Sequence, residues 1–245
     1  YNDHQVAVID AQVEELDYPA LKAAIAAHQP DVVGITAMTF TLIDVIKTAR
    51  LVKEIDKDIP VVLGGPHVHL YPEETIALPQ VDYLVLGEGE IPFHQLLDNL
   101  GRMDKLEGIR GLVFQRNGAV INTGIRSLRD DLDEIPFPAR HLTPYQKYSS
   151  LMAKRSPITT MFTSRGCPYQ CIFCDRPHLG KRFRARSAAN VVDEMEECIS
   201  LGIREFLIYD DTFTIQRQRV VDICAEIMRR GLDIGWDVRA RVNTV

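Results

Sequence analysis

An α/β architecture in two parts is predicted for these 245 residues: a doubly wound, Rossmann-like domain, then the first half of a partial (β/α) barrel. Three observations predict it. Short apolar runs alternate with longer amphipathic ones in two series, the pattern of parallel strands covered by helices. A stretch holding Pro136, Pro138, Pro144 and Pro157 separates the series, a composition that marks a linker between domains. Glycines close predicted strands, as at Gly64-Gly65 and Gly87. The expected boundaries are 1–126, a linker over 127–157, and 158–245.

In the first series Val6–Asp10 reads as a short apolar strand. Tyr18–His28 has a helical pattern that Pro30 ends. Asp31–Thr36 is a buried-strand run. Leu42–Ile55 is an amphipathic helix, apolar at Val45, Ile46, Ala49, Val52 and Ile55. Val61–Leu63 is a strand closed by Gly64-Gly65-Pro66, and a short helix follows Pro72. Tyr83–Leu86 is a strand ending in Gly87, and Phe93–Leu100 is helical. Leu112–Val120 contains Asn117-Gly118, a tight hairpin signal. Val6–Asp10 takes the place of the second strand of a doubly wound sheet, so another strand is expected before Tyr1.

The second series repeats the rhythm. Ile158–Thr163 is a strand running into a cysteine-rich loop. Ser187 caps a helix with Val191, Val192, Met195, Cys198 and Ile199 on its apolar face, and Gly202 stops it. Glu205–Tyr209 is a strand ending in Asp210-Asp211. A helix follows from Ile215 to Arg230, and Ile234–Val238 is a third strand. Three βα units do not close a barrel. Both ends read as truncated, and the chain as the middle of a longer protein.

Composition narrows the function classes. Hydrophobic residues are 46% and charged residues 25%, ordinary for a soluble domain. A net charge of -6 gives no basic footprint for nucleic acid. No apolar run approaches the roughly 18 residues of a membrane span. Five cysteines, three of them within eight positions, do not form a disulfide framework. They indicate a metal site in a reducing compartment, the cytoplasm. Cys198 and Cys224 fall on apolar helix positions and are expected to be buried small hydrophobes.

The loop reads Ser164-Arg165-Gly166-Cys167-Pro168-Tyr169-Gln170-Cys171-Ile172-Phe173-Cys174. Its C-x3-C-x2-C spacing directly follows a strand. A 4Fe-4S cube usually takes four thiolates. Cys167, Cys171 and Cys174 would leave one iron open to chelate an amine and a carboxylate, as on the methionine end of S-adenosylmethionine (SAM). Gly166 and Pro168 suit a loop wrapped around such a cluster. A structural zinc with His178 as fourth ligand, or a simple electron-transfer cluster, are the alternatives. The preceding strand and following βα units favour the open-iron reading, because barrel sites form at the C-terminal ends of strands.

This loop, with an aromatic residue before its last cysteine, resembles the radical SAM superfamily. The stretches TSRGCPYQCIFC and YDDTFT resemble the branch with an N-terminal cobalamin-binding domain, a branch of methyltransferases that also holds the anaerobic Mg-protoporphyrin monomethyl ester cyclase. The resemblance implies that Cys167, Cys171 and Cys174 ligate the cluster and that Phe173 lies near the adenine. Asp210 and Asp211 stand where relatives have a Gly-Gly-Glu that receives the methionine amino group. This sequence departs from that motif, and a helix-terminal carboxylate is the alternative reading. Arg239 or Arg241 faces either the site or the surface.

Three loops at strand ends of the first series are Thr36-Ala37-Met38-Thr39-Phe40, Gly64-Gly65-Pro66-His67 and Gly87-Glu88-Gly89-Glu90. Their glycines let a backbone approach a bulky ligand, where a doubly wound sheet binds its ligands. No nucleoside-triphosphate or dinucleotide glycine motif is present. By resemblance these loops bind cobalamin, with Thr36–Thr39 and Gly64–Gly65 along the nucleotide tail and Gly87–Glu90 close by. His67 and His69 are not assigned as cobalt ligands.

The resemblance implies reductive SAM cleavage to a 5′-deoxyadenosyl radical, hydrogen abstraction from a small-molecule substrate, and methyl transfer from cobalamin to an unactivated carbon. A reductant such as flavodoxin or ferredoxin is the implied partner. Two alternatives stand beside it: oxidative cyclisation without methyl transfer, and a non-catalytic corrinoid carrier or sensor with a structural cluster.

Overall fold

A computed structural model of the chain describes residues 4–174 and 180–244. The chain divides into two compact units, residues 1–7 with 15–128, and residues 8–14 with 129–245.

In the first unit, helix α1 (Tyr18–Ala27) begins where Asp17 accepts a 2.9 Å hydrogen bond from the Ala20 amide, a cap worth about 1 kcal/mol. Strand β1 (Val33–Thr36), helix α2 (Leu42–Ile55) and strand β2 (Val61–Gly64) follow. Two short helices, α3 (Pro66–Leu70) and α4 (Pro72–Ile76), lead to β3 (Tyr83–Val85). Helices α5 (Glu90–Asp98) and α6 (Met103–Leu106) precede the hairpin β4 (Leu112–Arg116) and β5 (Ala119–Asn122). The five strands lie in chain order. β1, β2 and β3 are parallel, whereas β4 and β5 are antiparallel. Asn117 and Gly118 turn the hairpin with φ of 51° and 77°, the positive values that a tight hairpin needs. Val62, Val85, Leu96, Leu106, Leu112 and Phe114 form its core.

One expected strand is not there. Residues 6–10 are irregular, and Val6 and Val8 are 51% and 44% exposed. A short apolar run becomes a strand only when a neighbour completes its hydrogen bonds. Among the described residues none pairs with this one.

The second unit contains β6 (Ile158–Met161), the two-residue strands β7 (Ser164–Arg165) and β8 (Arg184–Ala185), helix α7 (Ala188–Ser200), β9 (Glu205–Ile208), helix α8 (Arg217–Arg229) and β10 (Gly235–Val238). Its main sheet runs β10-β9-β6, all parallel. Ser187 caps α7 by accepting from the Asn190 amide. Met161, Val191, Val192, Met195, Cys198, Phe206, Phe213 and Ile223 build its core. Cys198 is fully buried as expected, but Cys224 is only half-buried. It flanks the face of α8 that Ile223 buries and that Val220 and Ile227 extend.

The Pro-rich stretch carries Arg140, which is buried and donates to Thr159 Oγ1 at 2.8 Å, the Thr160 carbonyl at 3.0 Å and Glu194 Oε1 at 2.5 Å. Arg186 donates to the other oxygen of Glu194. Two cations thus satisfy one buried carboxylate. Among the described residues, no helix is long and apolar enough to cross a membrane.

Candidate functional site

The strands of the second unit end level with one another. Met161 and Val238 both pair with Ile208, so Phe162, Tyr209 and Arg239 begin one rim. The cysteine loop rises from it. β7 pairs antiparallel with β8 through Ser164–Ala185 and Arg165–Arg184, clasping the base of the loop. Gly166 follows with φ of +80°, and a Cβ there would stand 2.3 Å from the Arg182 carbonyl oxygen and 2.9 Å from that of Gly180. Only glycine fits this crossing. The Cys167 amide donates to the Gly180 carbonyl at 3.3 Å, and the Cys174 amide to the Cys171 carbonyl at 3.1 Å.

All three loop cysteines are free thiols; Cys167 and Cys171 are half-buried and Cys174 is exposed. Phe173 is 90% exposed. Three thiols on one short loop are the donor set that a cluster with one open iron takes. His178, the fourth ligand of the zinc alternative, lies outside the described residues.

The paired aspartates divide sharply. Asp210 is fully buried. Its Oδ1 accepts from the Thr163 amide at 2.6 Å and the Ser164 amide at 3.0 Å, and its Oδ2 accepts from both hydroxyls at 2.6 Å. Asp210 therefore holds the strand-to-loop junction and has no oxygen left for a ligand. Asp211 is exposed. Its carboxyl lies above the usual range because packed protein desolvates it and, secondly, because Asp210 repels its charge; Arg239 opposes the shift.

Arg219 is buried on the other side of the junction and donates to the Thr163 carbonyl at 2.7 Å and the Thr163 hydroxyl at 2.5 Å. Burial lowers its pKa and Asp210 pushes it back up. Thr163, Ser164 and Arg219 were not singled out from the sequence. Two hydroxyl residues between a strand and a glycine were the available signal for the first pair. Arg219 had none, since Arg217-Gln218-Arg219 looks like a solvated helix face.

The two arginines of the rim have different partners. The Arg239 guanidinium lies over Tyr209, 4.0 Å from the ring centroid, and its carbonyl accepts from the Phe213 amide at 2.9 Å. Arg241 reaches the cysteine loop, with Nη1 2.7 Å from Cys171 Sγ.

In the first unit, the predicted loops follow the C-terminal ends of β1, β2 and β3. The Ala37 amide donates to the Gly64 carbonyl at 2.7 Å, and the His67 amide to the Ala37 carbonyl at 3.1 Å, so the first two loops are stitched together. Gly65 has φ of +99°, and a Cβ would come 2.9 Å from the Ala37 oxygen. Nothing lies within 4 Å of a Cβ built on Gly64, which leaves space beside the strand end. Thr36, Met38 and Thr39 are exposed, and Phe40 is 86% exposed. Gly87 has φ of +71°, Gly89 caps α5, and Glu90 begins it, with Glu88 between them. Small residues and an open apolar rim fit a large flat ligand such as a corrinoid. His67 is buried, bonded through Nδ1 to Thr39 Oγ1 at 3.1 Å, and packed on Tyr71. Its ring nitrogen on that side is already engaged.

Residues 2–97 match the B12 binding domain, and residues 161–244 match the Radical SAM superfamily. The chain is 40% identical over 245 residues to an uncharacterized methyltransferase of Pyrococcus horikoshii, covering 99% of this chain and 53% of that protein. It is 31% identical to the anaerobic magnesium-protoporphyrin IX monomethyl ester cyclase of Rubrivivax gelatinosus, over 98% of this chain and 44% of the cyclase. The fold is shared with the cobalamin-dependent S-adenosylmethionine radical enzyme OxsB, solved with aqua-cobalamin and S-adenosylmethionine bound. The TM-score is 0.79 at 22% identity, covering 97% of this chain and 34% of OxsB. The chain spans about half the length of the curated relatives it matches.

Proposed function

We propose, for a chain that belongs to the cobalamin-binding branch of the radical SAM superfamily, that the whole protein transfers a methyl group to an unactivated carbon of a small molecule. One observation carries the proposal: a loop of three free thiols at the strand ends shares a chain with a B12 binding domain. The 40% identity to a methyltransferase supports methyl transfer as the outcome.

When bound, the cluster supplies the electron for reductive SAM cleavage, and cobalamin supplies the methyl group. The chain's residues bind and orient. Cys167, Cys171 and Cys174 would ligate the cluster. Phe173, open on the loop, offers its ring to the adenine. Of the two aspartates, Asp211 is the one with oxygens to accept the methionine ammonium, and Asp210 keeps the loop in register beneath it. Thr36–Thr39, Gly64–Gly65 and Gly87–Glu90 receive cobalamin. The reductant is a flavodoxin or ferredoxin.

Full-length protein supplied with SAM carrying a labelled methyl group tests this directly. Label in the product is the expected result. The 31% identity to the cyclase favours a second reading, oxidative ring closure with the same cofactors; a dehydrogenated, unlabelled product would establish it. Reconstituted full-length protein that leaves SAM intact under reductant would instead identify a corrinoid carrier or sensor.

A further inference from the structure

We propose that Arg241 is a positioning residue for the cluster, donating a hydrogen bond to the Cys171 thiolate and raising the cluster's reduction potential. The proposal rests on the cysteine-loop reading above.

Arg241 Nη1 lies 2.7 Å from Cys171 Sγ, a contact between residues 70 positions apart. The same guanidinium lies over the Tyr169 ring, 4.1 Å from its centroid. One planar cation therefore grips two residues of the loop, by an N–H to sulfur and by its face to an aromatic ring. Arginine can do both at once, and lysine, a point charge, cannot.

The grip starts from a fixed base. The Arg241 carbonyl accepts from the Thr244 amide and the Thr244 hydroxyl, both at 2.9 Å. Thr244 Oγ1 lies 2.6 Å from Thr214 Oγ1, which follows β9. Arg241 Nε donates to Asn243 Oδ1 at 3.1 Å. The segment after β10 is thus tied to the segment after β9 and, through Arg241, to the loop after β6.

The consequence is electrostatic. Three thiolates on an oxidised 4Fe-4S core formally leave one net negative charge, and one-electron reduction makes it two. A cation at a ligating sulfur favours the more negative state. Hydrogen bonds to sulfur and local charge are the levers that set such potentials. Arg239 is the internal comparison. It carries the same charge on the same rim, but its guanidinium lies on Tyr209, 4.0 Å from the ring centroid.

The test uses full-length protein reconstituted anaerobically with iron and sulfide, without SAM, and an EPR-monitored redox titration. Wild type, Arg241→Gln, Arg241→Lys and Arg239→Gln are compared. Arg241→Gln is expected to load iron like wild type while its reduction becomes about tenfold less favourable, a potential about 59 mV lower for a one-electron couple. Arg241→Lys should fall between, and Arg239→Gln should shift less than Arg241→Gln. An unchanged potential in loaded Arg241→Gln overturns the proposal. So does an unchanged potential together with weaker SAM binding in a separate equilibrium titration, which would place Arg241 at the SAM carboxylate. If Arg241→Gln does not load, an unchanged potential in Arg241→Lys overturns it, and a lowered one supports it. Wild type that takes up no iron sinks the cysteine-loop reading itself, a different and recognisable failure.

Discussion

Replacing Asp210 by alanine should unfold the second unit far more readily than replacing Asp211. Asp210 is 0% exposed and accepts hydrogen bonds from the amides and hydroxyls of Thr163 and Ser164. The hydroxyls can rotate to other acceptors, but the two amides cannot. Each buried N–H left unsatisfied costs about 1–3 kcal/mol, so Asp210→Ala should cost about 2–6 kcal/mol. Arg219 adds to this, because its buried charge loses the carboxylate that supports it. Asp210→Asn keeps one acceptor oxygen and should cost about 1–3 kcal/mol. The assay is urea unfolding followed by the fluorescence of Trp236, the single tryptophan of the chain. Its ring sits 5.4 Å from Phe213 in the second unit's core, so it reports on that unit. Asp211→Ala, at an exposed position, should stay within about 0.5 kcal/mol of wild type. If Asp210→Ala cost less than about 1 kcal/mol, the junction would not depend on the carboxylate and the reasoning would be refuted.

Other outcomes follow from the same geometry. Burial pushes the Cys198 thiol up to about 11, so it stays neutral at pH 7. Iodoacetamide footprinting of the metal-free protein should modify Cys167, Cys171 and Cys174 and spare Cys198. Gly166→Ala places a Cβ 2.3 Å from the Arg182 oxygen, and iron loading after reconstitution should fall sharply. Gly65→Ala forces a side chain onto a φ of +99°, costing about 1–3 kcal/mol in the first unit, read as a lowered thermal midpoint. Asp211 has a folded pKa raised above the ordinary 3.8. The folded state holds its proton more tightly, so this group lowers stability as pH rises from 3.8 through the raised value. Asp211→Asn should remove that part of the pH dependence, measured by unfolding between pH 3 and 7.

Much of this was legible in the sequence because periodicity reports local structure. The run Leu42–Ile55 and the caps at Ser187 and Gly202 give helices where α2 and α7 lie. Asn117-Gly118 gives the hairpin. The cysteine spacing is a local signal too. Long-range pairing was not legible. Val6–Asp10 is apolar enough for a strand, but among the described residues it meets no partner. Asp210 and Asp211 look alike in sequence; one is spent on Thr163 and Ser164, 47 and 46 positions away. Arg239 and Arg241 are equally alike, and only the closing of the β10-β9-β6 sheet sets one on Tyr209 and the other on Cys171. Such divisions between neighbouring, chemically identical residues are made by tertiary contacts.

The most direct measurement is the iron and acid-labile sulfide content of anaerobically reconstituted full-length protein, taken with its EPR spectrum before and after SAM. The expected result is about four iron and four sulfide per chain, lost on replacing Cys171 by alanine, with a spectrum that SAM changes because one iron is open. Zinc in place of iron, or a cluster whose spectrum SAM leaves unchanged, would contradict a three-cysteine cluster with an open iron.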